Sequence, residues 1–61
     1  MKEIFVLSIY NSLGKKRFIC EDGSLTMTVR DAQKFDSYPK AIEGGKGIID
    51  YFQVEKFFDN N

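Results

Sequence analysis

The segment from Glu3 to Tyr10 constrains the fold more than any other part of this sequence, because it is a strand-like run that is apolar on both faces. It is rich in Ile, Val, Phe and Tyr, which favour strands. Successive side chains of a strand point to opposite sides. The two faces carry Phe5, Leu7 and Ile9 on one side, and Ile4, Val6 and Tyr10 on the other. We therefore expect this strand to lie centrally in a sheet.

Two turn motifs follow this strand. Residues 11–14 (Asn-Ser-Leu-Gly) and the pair Asp22-Gly23 contain the residue types that tight turns require. They predict a second strand over Lys15–Glu21, with Phe18 and Cys20 on one face. They also predict a third strand or extended arm over Ser24–Val29, whose alternation places Leu25, Met27 and Val29 on a common face.

Helix-start patterns occupy the middle of the chain. Residues 28–31 match the Thr-x-x-acid pattern and predict one helical turn over 31–34, after which Phe35 enters the core. Residues 36–37 (Asp-Ser), followed by Pro39 in the first turn, predict the N-terminus of a longer helix. Its Ala41 and Ile42 would face the sheet. Three glycines at 44, 45 and 47 either end this helix near Gly44 or let it continue weakly to residues 48–49, and we favour a helix with a frayed last turn.

A closing strand is predicted over Asp50–Phe57, with Phe52 and Val54 pointing inward. The predicted fold is α+β: a small antiparallel sheet of three to four strands in the order β-β-β-α-β, with one helix packed on one face. Residues 1–58 form a single domain, and residues 59–61 form a polar tail.

Composition limits how such a domain is held together. A chain of 61 residues buries only about 60% of its unfolded surface, and six Phe and three Tyr supply large rings for a small core. The lone Cys20 allows no disulfide within the chain, and His is absent, so we expect neither a metal nor a cofactor. These features favour a reducing compartment, the cytoplasm. No segment has the roughly 20 apolar residues that cross a bilayer.

Three features of the sequence are candidates for a catalytic or anion-binding site. Without His, Cys20 lacks the base of a nucleophilic dyad, and we expect it to be a buried core residue. The adjacent Glu21 and Asp22 are expected to be solvated turn charges. Residues 44–47 (Gly-Gly-Lys-Gly) match the phosphate-binding loop poorly and are expected to form a flexible helix exit, although their amides could hold an anion. The sequence therefore predicts that the protein is not an enzyme.

Two groups of residues are candidates for binding a partner. Lys15, Lys16 and Arg17 form the one basic cluster, beside aromatic neighbours. They form either a solvated hairpin or a contact for phosphate or an acidic partner. Tyr51 and Phe57 lie on the closing strand. If both point outward they form an exposed aromatic patch, which is typical of interfaces, and otherwise they belong to the core with one ordinary exposed ring.

The order of these motifs resembles that of small uncharacterised phage and prophage α+β proteins. The resemblance spans most of the chain and lies in structural motifs: residues 14–18 (Gly-Lys-Lys-Arg-Phe), 22–23 (Asp-Gly), 31–35 (Asp-Ala-Gln-Lys-Phe), 37–41 and 54–56 (Val-Glu-Lys). The glycines at 44–47 depart from the usual charged helix. The resemblance implies a phage-like origin and contact with a host or phage protein, including components of defence systems, and it carries no catalytic residues.

Three hypotheses about function follow. The first is a non-enzymatic protein that binds another protein, as an inhibitor of a host or defence protein in the manner of anti-CRISPR proteins. The second is a nucleic-acid-binding accessory protein that uses the hairpin with Lys15, Lys16 and Arg17. The third is a homo-oligomeric structural subunit joined through sheet edges.

Overall fold

The computed structural model describes residues 2–59, which form a four-stranded antiparallel sheet with one α-helix. The strand order in the sheet is β3-β2-β1-β4. This confirms the predicted α+β class and the order of its elements. In chain order these are β1 (Lys2–Tyr10), β2 (Lys16–Ile19), β3 (Leu25–Thr26), a 3-10 turn (Val29–Asp31), α1 (Tyr38–Lys46) and β4 (Gln53–Asp59).

The first strand lies in the interior of the sheet, as its two apolar faces predicted. On one side β1 pairs with β2, with Ser8 opposite Phe18, and on the other it pairs with β4, with Leu7 opposite Val54. Beyond the end of β2, Phe5 exchanges two backbone hydrogen bonds with Phe35, of 3.0 and 2.8 Å. Neighbours therefore hold β1 on both sides along most of its length.

Both predicted turns are confirmed. Gly14 and Gly23 have φ angles of +77° and +88°, a region that side chains avoid. The Asn11 carboxamide oxygen accepts from the backbone N–H groups of Leu13 and Lys15, and so closes the first turn. In the second turn the Asp22 carboxylate accepts from both the backbone and the hydroxyl of Ser24.

The second and third strands are shorter than predicted. β2 covers only Lys16–Ile19, so Cys20 lies outside it and is half-buried rather than in the core. β3 is two residues long and pairs only with the end of β2, at the edge of the sheet. Of the three residues predicted to share a face, Leu25 and Met27 are 48% and 72% exposed, and Val29 is half-buried in the 3-10 turn.

Of the two predicted helix starts, the second is confirmed and the first lies earlier in the chain than predicted. Ser37 caps α1 as predicted, since its hydroxyl accepts from the Lys40 backbone N–H at 3.3 Å and Pro39 occupies the first turn. The preceding turn is a 3-10 helix over Val29–Asp31, earlier than predicted. There the Thr28 hydroxyl donates to the Asp31 carboxylate instead of capping a backbone amide.

The helix passes through Gly44 and Gly45 and ends at Lys46, so neither the end near Gly44 nor a continuation to residues 48–49 is observed. Two aromatic rings explain why glycines stand here. A Cβ atom on Gly44 would lie 2.5 Å from Cε1 of Phe35, and a Cβ atom on Gly45 would overlap the ring of Phe52. The glycines therefore let two rings pack directly on the helix backbone.

The closing strand begins later and ends later than predicted. Residues 47–52 connect the helix to the strand, and the Ile48 and Ile49 N–H groups both donate to the Gly45 carbonyl. Residues 50–52, which were expected to begin the strand, therefore belong to this connection. At the other end Asp59 pairs with Lys2, so β4 enters the predicted polar tail. The rest of that tail lies outside the described residues.

The main core lies between α1 and the sheet. Leu7, Ile19 and Ala41 are almost completely buried at its centre. Half-buried side chains surround them, including the predicted inward residues Phe35, Phe52 and Val54. Ala41 faces the sheet as predicted, and Ile42 is half-buried.

The opposite face of the sheet is also covered in part. Val6 and Ser8 are fully buried there, and the rings of Phe18 and Phe57 meet edge to face with centroids 6.2 Å apart. In the described part of the chain, the helices lack the length and apolar character needed to cross a bilayer.

Candidate binding surface

The basic cluster of the hairpin does not form a single patch. Lys15 lies in the turn before β2, whereas Lys16 and Arg17 lie within β2 and point to opposite faces of the sheet. Arg17 is half-buried on the helix side, and its guanidinium donates to the Lys16 carbonyl at 2.8 Å. The three predicted contact residues are therefore close together but present their charges in different directions.

Lys16 belongs to a polar network that sequence reasoning missed. Its ammonium lies 2.9 Å from the Glu55 carboxylate on β4, and the same carboxylate oxygen accepts a hydrogen bond of 2.6 Å from the Ser8 hydroxyl. Ser8 is fully buried between these two strands. The network thus satisfies a buried hydroxyl and links three strands on the face opposite the helix.

Two pKa shifts follow from this network. Partial burial would raise the pKa of Glu55, but the hydrogen bonds from Ser8 and Lys16 and the charge of Lys16 outweigh burial, so the pKa lies below its usual value. The hydrogen bond to Glu55 raises the pKa of Lys16. Both groups are therefore charged at neutral pH, and the positive charge of Lys16 is largely balanced.

The aromatic pair Tyr51 and Phe57 is split between two places. Tyr51 is 77% exposed and precedes β4. Phe57 is half-buried near the other end of β4, in contact with Phe18. β4 begins only after Tyr51, at Gln53, and Phe57 lies four positions further along the strand, about 13 Å from Gln53. Tyr51 and Phe57 therefore do not form one patch.

The structure instead gathers a different group, which we call the hairpin end: Tyr10, Leu13, Lys15, Lys16 and Tyr51. Ser8 of β1 pairs with Gln53 of β4, so Tyr51 lies at the end of the sheet where β1 leads into its turn. Tyr10, Leu13 and Tyr51 are 53%, 78% and 77% exposed. The Lys16 ammonium lies 6.0 Å from the centre of the Tyr10 ring. This end combines three exposed apolar side chains with basic groups.

The carboxylates of the second turn line a shallow depression of about 440 Å³ together with Cys20 and Ser24. The Ser24 hydroxyl and backbone N–H lower the pKa of Asp22, and Thr28 occupies the Asp31 carboxylate. Within residues 2–59, no group of three or more His, Cys, Asp and Glu side chains is placed to hold a metal ion. Asp22 and Asp31 are thus engaged in local hydrogen bonds, Asp22 in the second turn and Asp31 in the 3-10 turn.

The glycine-rich segment is not a loop that cradles phosphate. Gly44 and Gly45 lie inside α1, and the Gly47 N–H donates to the Gly45 carbonyl. Amides engaged in helical hydrogen bonds cannot converge on an anion. The expected flexible helix exit is also wrong for Gly44 and Gly45, since rings pack against both.

Sequence reasoning missed Ser8, Glu55, Tyr10 and Leu13. Ser8 could have been found as the one serine within an apolar strand, since a buried hydroxyl requires a partner. Leu13 could have been found as a leucine among turn residues. The placement of Tyr10 and Tyr51 at the same end of the sheet could not have been found, because it depends on the β1–β4 register. Comparison with protein-family models, with curated proteins and with solved structures found no match.

Proposed function

We propose that the protein is a small non-enzymatic binding protein that acts by contact with another protein through the hairpin end. The observation that carries this proposal is the exposure of Tyr10, Leu13 and Tyr51 at one end of the sheet. Exposed apolar side chains that cluster with basic groups are typical of interfaces, and tyrosine is enriched among residues that dominate binding energy.

Energetics support a role other than folding for these side chains. A domain of 61 residues has little apolar surface to spare for its core. Leu13 and Tyr51 nevertheless remain mostly outside it. Fully burying one such side chain contributes about 1.5–3 kcal/mol of free energy. A partner that covers the hairpin end would gain this contribution on binding.

The charges of the hairpin end favour a partner with acidic groups. Lys15 is exposed and no carboxylate among residues 2–59 forms an ion pair with it. Lys16 is balanced by Glu55, so it orients the Tyr10 ring more than it attracts an anion. The resemblance to small phage proteins directs the search toward host and defence proteins in the cytoplasm, where an inhibitor of this kind would act.

Affinity capture with paired variants tests the proposal. The tagged protein, Leu13→Ser with Tyr51→Ser, and the control Met27→Ser are each used to capture proteins from lysate of the cells in which the gene is expressed. Met27 is 72% exposed just after β3, at the edge of the sheet opposite to β4, which Tyr51 precedes. We expect one protein to be captured by the parent and the control and lost with the double variant. Capture that is equal in all three, or absent in all three, contradicts the proposal.

Binding of single-stranded nucleic acid is the second candidate, and the placement of Lys16 near the Tyr10 ring favours it. Proteins that bind single strands combine a basic groove with stacking rings. The balanced net charge and the pairing of Lys16 with Glu55 weaken this candidate. Fluorescence titration with short DNA and RNA oligonucleotides at low salt tests it, and affinity that falls steeply with added salt would support it.

Self-association is the third candidate. β4 is a seven-residue strand at the edge of the sheet, and edge strands pair readily with other chains. Light scattering at rising protein concentration tests it. A strict monomer at the highest concentration removes this candidate and leaves the hairpin end unaffected.

A further inference from the structure

A groove lies on the face of the sheet opposite α1, near the N-terminal end of β1. Its floor is formed by Ile4 of β1 and Phe57 of β4, and its volume is about 520 Å³. One wall comes from the segment around the 3-10 turn, with Val29, Arg30 and Lys34. The other wall is the end of β4, with Phe58 and Asp59.

This groove is separate from the hairpin end. Ile4 and Tyr10 are six positions apart along β1 and point to the same face, which places them about 20 Å from each other. The molecule is 34 Å along its longest axis. A ligand in the groove would therefore leave the hairpin end open, and an inference about the groove stands independently of the function proposed above.

One wall of the groove carries two cations. Among residues 2–59, neither Arg30 nor Lys34 forms an ion pair with a carboxylate. The Lys34 ammonium donates to the backbone carbonyls of Arg30 and Ala32, at 2.6 and 3.2 Å. These bonds fix the position of the ammonium beside the groove without neutralising it. The positive charge of this wall is available to an acidic ligand.

The lining beneath these cations is apolar. Ile4 is buried, and Val29 and Phe57 are half-buried. A site with an apolar floor and a few placed charges recognises a ligand that has both properties. A purely anionic ligand would leave the floor uncovered, and a purely apolar ligand would leave the cations unpaired.

We propose that this groove binds an acidic peptide segment of a partner protein, with an apolar side chain on the floor and a flanking carboxylate beside Arg30 and Lys34. The two cations attract the carboxylate to this wall, and the apolar floor takes the neighbouring apolar side chain.

Titration followed by proton–nitrogen NMR spectra of the full chain tests this proposal. Three capped pentapeptides serve as probes: EFELE has both acidic and apolar side chains, KFKLK replaces the acids by bases, and EAEAE removes the large apolar groups. We expect EFELE to shift the amide signals of Ile4, Val29 and Phe58, and to bind on the order of tenfold more tightly than either other peptide, which corresponds to about 1.4 kcal/mol.

Two variants locate the interaction. Arg30→Glu should abolish the preference of the protein for EFELE over KFKLK, whereas the control Lys46→Glu, which reverses an exposed charge at the end of α1, should retain it. If Arg30→Glu does not fold, as its own spectrum would show, Arg30→Gln replaces it and should reduce the preference. Equal binding of EFELE and KFKLK, shifts confined to the hairpin end, or no shifts with any peptide would overturn the proposal.

Discussion

The two faces of β1 are both buried, but by different means. Toward α1, Phe5, Leu7 and Ile9 pack in an apolar core that two aromatic rings extend onto the bare backbone of the helix. On the other face Val6 and Ser8 are fully buried, and the Ser8 hydroxyl donates to the Glu55 carboxylate, which forms an ion pair with Lys16 across β1. Close packing of apolar side chains stabilises the helix side, and a hydrogen-bonded ion pair stabilises the other side. Substitutions on the two faces should therefore differ in size and in their response to pH.

The largest difference should come from truncating the centre of the apolar face. Leu7→Ala removes a fully buried side chain and should lower the free energy of unfolding by about 2–5 kcal/mol. A domain of this size has roughly 3–9 kcal/mol in total, so the variant should be largely destabilised in urea titration. On the opposite face Val6→Ala removes fewer carbons and should cost less. A smaller loss for Leu7→Ala than for Val6→Ala would contradict the assignment of the main core to the helix side.

The close approach of rings to the helix gives the next effect. Gly45→Ala should lower the free energy of unfolding by about 1–2 kcal/mol, because displacing the Phe52 ring costs more than the helix propensity of Ala returns. Gly47→Ala is the matched control, because its φ is −80° and the nearest atom to an added Cβ is 3.7 Å away. It should leave the protein equally stable or raise stability by about 0.4–1 kcal/mol. Thermal unfolding of both variants would reveal the opposite signs, and equal effects would rule out the ring contact as the reason for these glycines.

A smaller loss should follow from the charged face. Ser8→Ala removes the hydroxyl that donates to Glu55 and should lower the free energy of unfolding by about 1.5 kcal/mol, the lower end for a hydrogen bond to a charged group, since Glu55 keeps Lys16. Ser12→Ala in the exposed turn is the control and should change it by less than about 0.5 kcal/mol. Urea titration at neutral pH measures both. An unchanged free energy of unfolding for Ser8→Ala would contradict a stabilising role for the network of Ser8, Glu55 and Lys16.

The smallest expected difference between the two faces is in how the free energy of unfolding responds to acid. The pKa of Glu55 is lower in the folded protein than its ordinary 4.5, so its contribution is present above that value and is lost as pH falls through the folded pKa. The contribution of Lys16, whose pKa is raised above 10.5, is present below that value and is lost as pH rises beyond it. Unfolding measured from pH 6 to pH 3 should therefore show a shallower decline for Glu55→Gln than for the parent. Parallel curves would contradict the shift at Glu55.

Patterns within short stretches of the sequence predicted much of this fold. The apolar alternation of residues 3–10 placed the central strand, and the glycines at 14 and 23 and the cap at Ser37 placed turns and the helix start. The glycines at 44 and 45 were misleading, because they contact the rings of Phe35 and Phe52, which lie outside the helix on either side of it in sequence. Of the hairpin end, the sequence predicted Lys15, Lys16 and Tyr51 as contact residues, but only the β1–β4 register places Tyr51 at the same end of the sheet as Tyr10. The groove joins three separate segments, and no local pattern could reveal it.

Site-specific photo-cross-linking in the cells that express the gene tests most directly the claim that the hairpin end binds a partner protein. Benzoylphenylalanine is placed at Tyr51, which is exposed at that end, and separately at Met27, which is exposed at the β3 edge. We predict one dominant protein adduct from position 51 and none of that mass from position 27. The same adducts from both positions, or no protein adduct from position 51, would contradict the account.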